Sequence, residues 1–188
     1  MREFPTLVLV DVQRAFDDPA YRDPSTRNNP DAEKNVARLL EAWRSHGAPV
    51  IHVHHFETDP DFPMFHKGST GFEFKPESLP LEGEPVLEKC VNSAFIGTDL
   101  EERLRNSGAT TVVIAGITTD HCCSTTARMS GNLGFDTLFV GDACATFPRV
   151  GPDGQTYSAD LMHGTAIASL NGEFAEVVTT DEAVERLG

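Results

Sequence analysis

Short apolar runs alternate along the chain with longer segments in which apolar residues recur every three or four positions. The apolar runs are uninterrupted and rich in β-branched residues, as in the stretch TLVLVDV that begins at Thr6, which is typical of strands buried on both faces. The longer segments have the period of amphipathic helices. This alternation predicts an α/β fold in which helices cover both faces of a parallel sheet.

The pattern predicts six strands and five helices, with one long interruption. The predicted strands are residues 6–12, 49–56, 85–91, 110–116, 136–146 and 174–180. The predicted helices are residues 30–47, 98–108, 122–134, 158–172 and 181–188. Thr98 and Glu101 have the spacing of a capping box at the start of the second helix. The interruption, residues 57–83, is rich in Pro, Gly and Phe, and an irregular segment of that length is usually functional.

The predicted architecture is a three-layer α/β/α fold with a six-stranded, mainly parallel, Rossmann-like sheet, formed as a single domain by residues 1–188. A chain of this length can bury a substantial core without a structural metal or disulfides. The formal net charge of −14 argues against nucleic acid and against an anionic membrane as partners, because both need a basic surface. The apolar runs are too short to span a bilayer, and the first residues lack the pattern of a secretory signal. We therefore expect a cytoplasmic protein.

The four cysteines are expected to be free thiols in that compartment, and no two of them have zinc-finger spacing. Cys122 and Cys123 are adjacent at the predicted start of the third helix. Three interpretations are open for this pair: a nucleophile activated by its position, two packed side chains, or a redox pair. A disulfide between neighbouring residues is strained, which disfavours the redox pair. We expect Cys90, Cys123 and Cys144 to pack as small apolar side chains.

Chemistry in parallel α/β sheets gathers at the edge where the strands end. The groups at these ends are Asp11, the histidines within residues 52–55, Lys89, Cys122 and Asp142. A thiol at the start of a helix feels the positive end of the helix dipole, which lowers its pKa, and a nearby lysine would lower it further. A carboxylate within reach can take the thiol proton and return it to a leaving amine. Asp11, Lys89 and Cys122 would together supply a base, a cation and a nucleophile.

Three stretches that carry these residues resemble the signature regions of the isochorismatase-like cysteine hydrolases. They are LVLVDVQRAF, LEKCVNSAFIGTDLEERLR and VVIAGITTDHCCSTTARMSGNLGF. GDACATF and HGTAIASLNGEFAEVVTT continue the match, so the resemblance covers nearly the whole chain. It implies the isochorismatase-like hydrolase fold. It also implies a cysteine hydrolase that cleaves a carbon–nitrogen bond, in an amide, a carbamoyl or ureido group or a lactam, through a thioester acyl-enzyme.

The resemblance also implies roles for individual residues. Asp11 would be the general base, Lys89 the partner that orients and polarises, and Cys122 the nucleophile. A cis peptide bond would join Ile117 to Thr118, and the backbone amides of Thr118 and Cys122 would form an oxyanion hole. No cofactor is implied. Relatives complete their pockets across subunits, so the resemblance favours a homo-oligomer, either a dimer or a tetramer, that acts on a small molecule.

The substrate pocket is expected above these three residues. Its candidate lining residues are Phe16, His54, His55, Phe65 and Phe72. Phe16 follows Asp11 closely, and the two later phenylalanines lie in the segment 57–83, which we expect to form a variable roof. Asn92 would either contact the substrate or hold the loop after the third strand.

Two alternatives within the same family are open. The first is a metal-assisted, nicotinamidase-like amidase, whose metal is held by an Asp-x-His pair and a further His. Here His52 or Val53 stands near the position of that aspartate, so we expect no bound metal. The second is an isochorismatase, which hydrolyses a vinyl ether that carries two carboxylates and offers no acyl carbon to a thiolate. Its substrate needs basic residues, and the segment 57–83 offers only Lys67 and Lys75.

Overall fold

A six-stranded parallel sheet forms the centre of the structure, a computed structural model that describes residues 4–187. Its strands are β1 (Thr6–Val10), β2 (Val50–His55), β3 (Val86–Lys89), β4 (Thr111–Ile117), β5 (Asp136–Ala145) and, last in the chain, β8 (Glu176–Val178). They lie in the order β3-β2-β1-β4-β5-β8, and every neighbouring pair is parallel. The predicted α/β class and the six predicted strands are confirmed.

Helices cover both faces of the sheet. They are α1 (Ala32–His46), α2 (Leu100–Ser107), α3 (Ser124–Asn132), α4 (Ala159–Leu170) and α5 (Thr180–Glu185). On one face, α1 and α5 pack on alternate strand residues such as Leu7 and Leu9. On the other face, α2, α3 and α4 pack on the residues between them, such as Val8 and Val10. Side chains of successive strand residues point to opposite faces, so the uninterrupted apolar strands produce the predicted three layers.

A short antiparallel hairpin between β5 and α4 departs from the prediction. Its strands are β6 (Arg149–Val150) and β7 (Thr156–Tyr157). Each strand has only two residues, and neither shows an apolar alternation that a sequence pattern could reveal. The hairpin places Arg149 beside the turn that precedes α3, which matters for the site.

The helix ends agree with the sequence only in part. α1 ends at Gly47, which has a left-handed φ of 64°, as a C-terminal glycine should. The capping box expected at Thr98 and Glu101 is wrong. The N-cap of α2 is Asp99, one residue after Thr98, and its side chain makes no capping hydrogen bond. The Thr98 hydroxyl instead accepts the amide of Leu100.

Close contact between β1 and β4 fixes the edge of the sheet at which the candidate residues lie. Gly116 pairs with Val10 and has a φ of 140°, and a Cβ there would lie 2.0 Å from the carbonyl oxygen of Val10. Glycine therefore lets the last residues of both strands approach each other. Asp11 and Thr118 follow directly from this contact.

The segment 57–83 lies over the same edge, as predicted. It contains two short 3₁₀ turns, Pro63–Phe65 and Pro76–Ser78. Gln13 fastens the segment to the sheet, because its buried side-chain amide donates to the carbonyls of His55 and Phe72. Within residues 4–187, no helix has the length and apolar character needed to cross a bilayer.

Candidate functional site

Asp11, Lys89 and Cys122 meet at the carboxyl edge of the sheet. Asp11 follows β1, Lys89 ends β3, and Cys122 lies in a π-helical turn (Thr119–Cys123) between β4 and α3. The ammonium of Lys89 donates a hydrogen bond of 2.6 Å to Oδ2 of Asp11, and the two side chains are 0% and 1% exposed. Both groups also shift the pKa of the Cys122 thiol, so the three form one cluster.

The backbone of Asp11 has an unusual conformation. Its φ is 53°, in the left-handed region that few residues other than glycine occupy. The amide of Asp11 donates to Val53 of the neighbouring strand, and its carbonyl accepts the amide of Gln13. Backbone strain of this kind persists where the surroundings enforce it and clusters at functional sites.

The turn that carries Cys122 is closed by backbone hydrogen bonds to a single carbonyl. The carbonyl of Thr118 accepts the amides of His121 and Cys123, the two residues on either side of Cys122. The peptide bond between Ile117 and Thr118 is cis, at the position where the family resemblance implies one. The Cys122 sulfur lies 3.7 Å from Oδ1 of Asn92, so Asn92 contacts the thiol from the loop that follows β3.

Burial raises the pKa of the Cys122 thiol well above its usual range, the negative charge of Asp11 raises it further, and Lys89 lowers it. This direction is opposite to the lowered pKa expected from the helix position and the lysine, because desolvation and the carboxylate outweigh the lysine. The pKa of Lys89 is raised, since attraction by Asp11 and Cys122 outweighs the lowering by burial. The resting cluster thus holds a protonated thiol, an ammonium and its carboxylate partner.

A second set of polar contacts reaches Lys89 from the roof. His55 Nδ1 lies 3.4 Å from the Lys89 ammonium, and His55 Nε2 lies 2.9 Å from Oε1 of Glu57. The amide of His55 donates to the side chain of Gln13. The histidine is therefore held on three sides.

A cavity of about 390 Å³ opens above the cluster. Its aromatic wall consists of Phe16, Tyr21, Phe62 and Phe65. The polar residues that line it are Asp11, His55, Glu57, Asn92, Thr118, His121 and Arg149. Cys90, Val91 and Cys122 complete the lining. Its size and its mixture of aromatic walls with a few converging polar groups are those of a small-molecule site.

Comparison with known proteins assigns this arrangement to a family. The family model of the isochorismatase domain matches residues 5–182. The chain belongs to the isochorismatase family. The uncharacterized isochorismatase family protein YrdC of Bacillus subtilis (strain 168) is 45% identical over 184 residues, which are 98% of this chain and 96% of that protein. Members of this family are hydrolases, and so is this chain.

Solved structures of the isochorismatase family share the fold. A structure described as a hydrolase of this family, from Chromobacterium violaceum ATCC 12472, has a TM-score of 0.93 and 41% identity, and the match covers 100% of this chain and 95% of that one. The N-carbamoylsarcosine amidase of Thermoplasma acidophilum has a TM-score of 0.73 and 28% identity, with 95% and 97% covered.

Three residues predicted to line the pocket of this family hydrolase do so, and two do not. Phe16, His55 and Phe65 line the cavity. The prediction for His54 is wrong, because its ring is buried and stacks on Phe74, with ring centroids 3.6 Å apart. The prediction for Phe72 is also wrong, because its ring packs against that of His54, with centroids 4.4 Å apart. The two histidines are consecutive strand residues, so only His55 points towards the cavity.

The cysteines divide into two groups. Cys123 and Cys144 are fully buried and their thiols interact with each other, as expected for packed side chains. Cys122 faces the cavity instead, so the adjacent thiols of Cys122 and Cys123 have separate surroundings. The expectation that Cys90 packs is wrong, since Cys90 is exposed and lines the cavity.

Asp142 lies outside the site, although a strand-end position was predicted for it. It lies within β5, because that strand continues to Ala145. Its carboxylate accepts the amide and hydroxyl of Thr180 at the start of α5. Asp142 therefore joins a strand to a helix.

Arg149 is a lining residue that the sequence interpretation missed. Its guanidinium donates to both carboxylate oxygens of Asp120 and to the hydroxyl of Thr118. Burial opposes ionisation of Asp120, but the hydrogen bond from Arg149 lowers its pKa to about 2. Arg149 lies in the hairpin that the sequence did not predict. Its place in the cavity lining becomes apparent only in the folded structure, where it contacts Asp120. Tyr21, Phe62 and Glu57 were missed because they lie in loops.

The arrangement of the histidines differs from a metal centre. Among residues 4–187, no three His, Cys, Asp or Glu side chains are grouped closely enough to hold a metal ion. His52 pairs with Glu84, and His55 is held between Glu57 and Lys89. The residues present therefore do not fit the metal of the nicotinamidase-like alternative.

Proposed function

We propose that this isochorismatase-family hydrolase cleaves a carbon–nitrogen bond of a small molecule through a thioester on Cys122. The observation that carries the proposal is the state of the Asp11 carboxylate. Its Oδ2 accepts from Lys89, whereas Oδ1 is buried and has no hydrogen-bond partner among the described residues. A buried acceptor without a partner, beside a protonated thiol, is placed to take the thiol proton.

The proposed reaction has two halves. Asp11 takes the proton of Cys122 as the sulfur attacks the carbonyl carbon, and Lys89 stabilises the forming thiolate. The backbone amides of Thr118 and Cys122 would receive the oxyanion. The carbon–nitrogen bond then breaks, and the nitrogen leaves with the proton from Asp11. Water, deprotonated by Asp11, cleaves the thioester and restores the thiol.

The charges of the cavity favour an acyl substrate with at most one negative charge. Among the described lining residues and their contacts, Lys89 and Arg149 are each paired with a carboxylate, Asp11 and Asp120 respectively. A third cation, Arg22, lies over the ring of the lining residue Tyr21, 5.2 Å from its centroid. A substrate with two carboxylates would therefore find at most one of these cations, Arg22, that is not already paired with a carboxylate. This disfavours the vinyl ether of isochorismate. The aromatic wall offers apolar contact to the acyl or leaving group.

An intact-mass screen tests the proposal. The protein is incubated separately with primary amides, N-carbamoyl amino acids, lactams and isochorismate. Each reaction is quenched with acid, and the intact mass of the protein is measured by mass spectrometry. We expect at least one acyl donor to add the mass of its acyl group to Cys122, and the Cys122→Ala variant to show neither adduct nor turnover. Undiminished hydrolysis by Cys122→Ala, of an amide or of isochorismate, would rule out the covalent route.

A further inference from the structure

A row of hydrogen bonds connects Glu57 to the Lys89 ammonium through His55. The contacts are 2.9 Å from Glu57 Oε1 to His55 Nε2, 3.4 Å from His55 Nδ1 to Lys89 Nζ, and 2.6 Å from Lys89 Nζ to Asp11 Oδ2. An ammonium has donors only. His55 must therefore accept at Nδ1, which leaves its proton on Nε2, facing the Glu57 carboxylate.

Both residues are fixed in place by the fold. Gln13 accepts the amide of His55 and donates to its carbonyl, at 2.8 and 2.9 Å. The ring of His55 lies edge-on to that of Phe65, and the His55 side chain is only 14% exposed. The amide of Glu57 donates to the carbonyl of Phe65. The row is thus anchored to β2 and to the roof together.

We propose that His55 and Glu57 are positioning residues that fix the rotation of the Lys89 ammonium, so that one N–H is directed at Asp11 and another at the sulfur of Cys122. A lysine ammonium otherwise rotates freely at the end of a flexible stem. Two acceptors, Asp11 and His55, define two of its three N–H directions, and the tetrahedral geometry then defines the third. The proposal rests on the proposed function for the importance of Cys122.

Removal of Glu57 changes the alkylation rate of Cys122 in opposite directions, depending on whether Glu57 positions Lys89 or acts only through its charge. Glu57 is a carboxylate on the cavity wall, so removing its charge alone would make the thiolate of Cys122 easier to form and speed its alkylation. Loss of positioning does the opposite, because a disordered ammonium stabilises the thiolate less. A slower reaction in the absence of Glu57 is therefore diagnostic.

Alkylation by iodoacetamide, followed at each cysteine by peptide mass spectrometry, measures this without any substrate. Exposed Cys90 lines the same cavity and reports access of the reagent within the same sample. For Glu57→Ala we expect alkylation of Cys122 to slow roughly threefold to tenfold at neutral pH. Glu57→Gln keeps an acceptor for His55 and should react as fast as the wild type or faster. Glu88→Ala, which removes the exposed partner of Lys67 on β3, is the matched control and should react as the wild type.

Two results would overturn the proposal. The first is unchanged or faster alkylation of Cys122 in Glu57→Ala. The second is equal slowing of Cys90 and Cys122, which would mean that Glu57 only shapes access to the cavity. Failure of the proposed function is a separate result, namely the absence of an acyl adduct in the intact-mass screen while alkylation of Cys122 still responds to Glu57.

Discussion

At the scale of single residues, Asp11 and Lys89 form a buried ion pair, in which each charge depends on the other for compensation. Each side chain is almost fully buried, and each compensates the charge that the other brings into the protein. Breaking a buried pair by removing one charge leaves the other uncompensated, which costs about 3–5 kcal/mol. In the proposed reaction the same carboxylate also moves the thiol proton, so stability and catalysis depend on one group.

The variant Asp11→Asn separates these two roles. We expect turnover to fall by roughly 10²–10⁴-fold, because the general base is lost, and urea unfolding to show a loss of about 3 kcal/mol or more. The double variant Asp11→Asn with Lys89→Met should recover much of the stability and none of the activity. Asp99→Asn, at an exposed helical pair with Arg103, is the control and should change stability little. A double variant less stable than Asp11→Asn alone would contradict this account.

Sequence reasoning located these residues because their positions follow from strand boundaries. Asp11 and Lys89 directly follow or end apolar runs, and parallel strands bring their carboxyl ends to one edge. The direction in which the pKa of Cys122 shifts could not be predicted in the same way. It depends on burial and on the distance to Asp11, and both arise only when β1 and the turn after β4 meet.

At the scale of secondary-structure elements, the contact between β1 and β4 positions the cluster. Gly116 has no side chain to separate the strands, and its φ of 140° is one that other residues rarely adopt. Asp11 and the turn with Cys122 leave their strands just beyond this contact. A displacement here would therefore change the distance between the proposed base and nucleophile.

We expect Gly116→Ala to be severely damaging. The new Cβ would lie 2.0 Å from a backbone oxygen, which neither strand can avoid without moving, so the loss of stability should exceed about 3 kcal/mol. Gly141→Ala in β5 is the matched control, since the nearest atom to its Cβ would be 3.5 Å away. Thermal unfolding of the two variants provides the comparison. Equal melting temperatures would show that β1 and β4 can separate without cost.

Elements without a hydrophobic period are the ones that sequence reasoning missed. The hairpin of β6 and β7 has two residues in each strand, so Arg149 carried no signal of its position. Phe72 was assigned to the pocket because it lies in the roof segment, but that segment folds back and packs Phe72 on His54. Such long-range contacts follow from the path of a loop, which no local pattern describes.

At the scale of the whole molecule, buried histidines make stability depend on pH. Burial lowers the pKa of His54 to about 4, whereas an unfolded histidine titrates near 6.5. The pKa values of His52, His121 and His163 are also lowered by burial. Between these values the unfolded chain binds more protons than the folded one. Stability is therefore fully present above about pH 6.5 and falls as the pH decreases from there.

Buried and partly buried carboxylates affect stability at a lower pH than the histidines do. Although burial opposes ionisation, ion pairs and hydrogen bonds lower the pKa values of Glu33, Glu84 and Asp120 to about 2. Their contribution is fully present above about pH 4.5 and is lost as the pH falls from there towards 2. A loss of stability between pH 7 and pH 5 therefore belongs to the histidines.

The variant His54→Phe tests this assignment. Phenylalanine keeps the aromatic packing on Phe72 and Phe74 but cannot take a proton, so it should remove about 2 kcal/mol of the stability lost between pH 7 and pH 5. Urea unfolding at the two pH values measures the difference, and His46→Phe, at the exposed end of α1, should keep the wild-type dependence. If His54→Phe loses as much stability as the wild type over this range, protonation of His54 is not what weakens the fold in mild acid. The pH dependence would then have to come from buried His52 and from the more exposed His121 and His163.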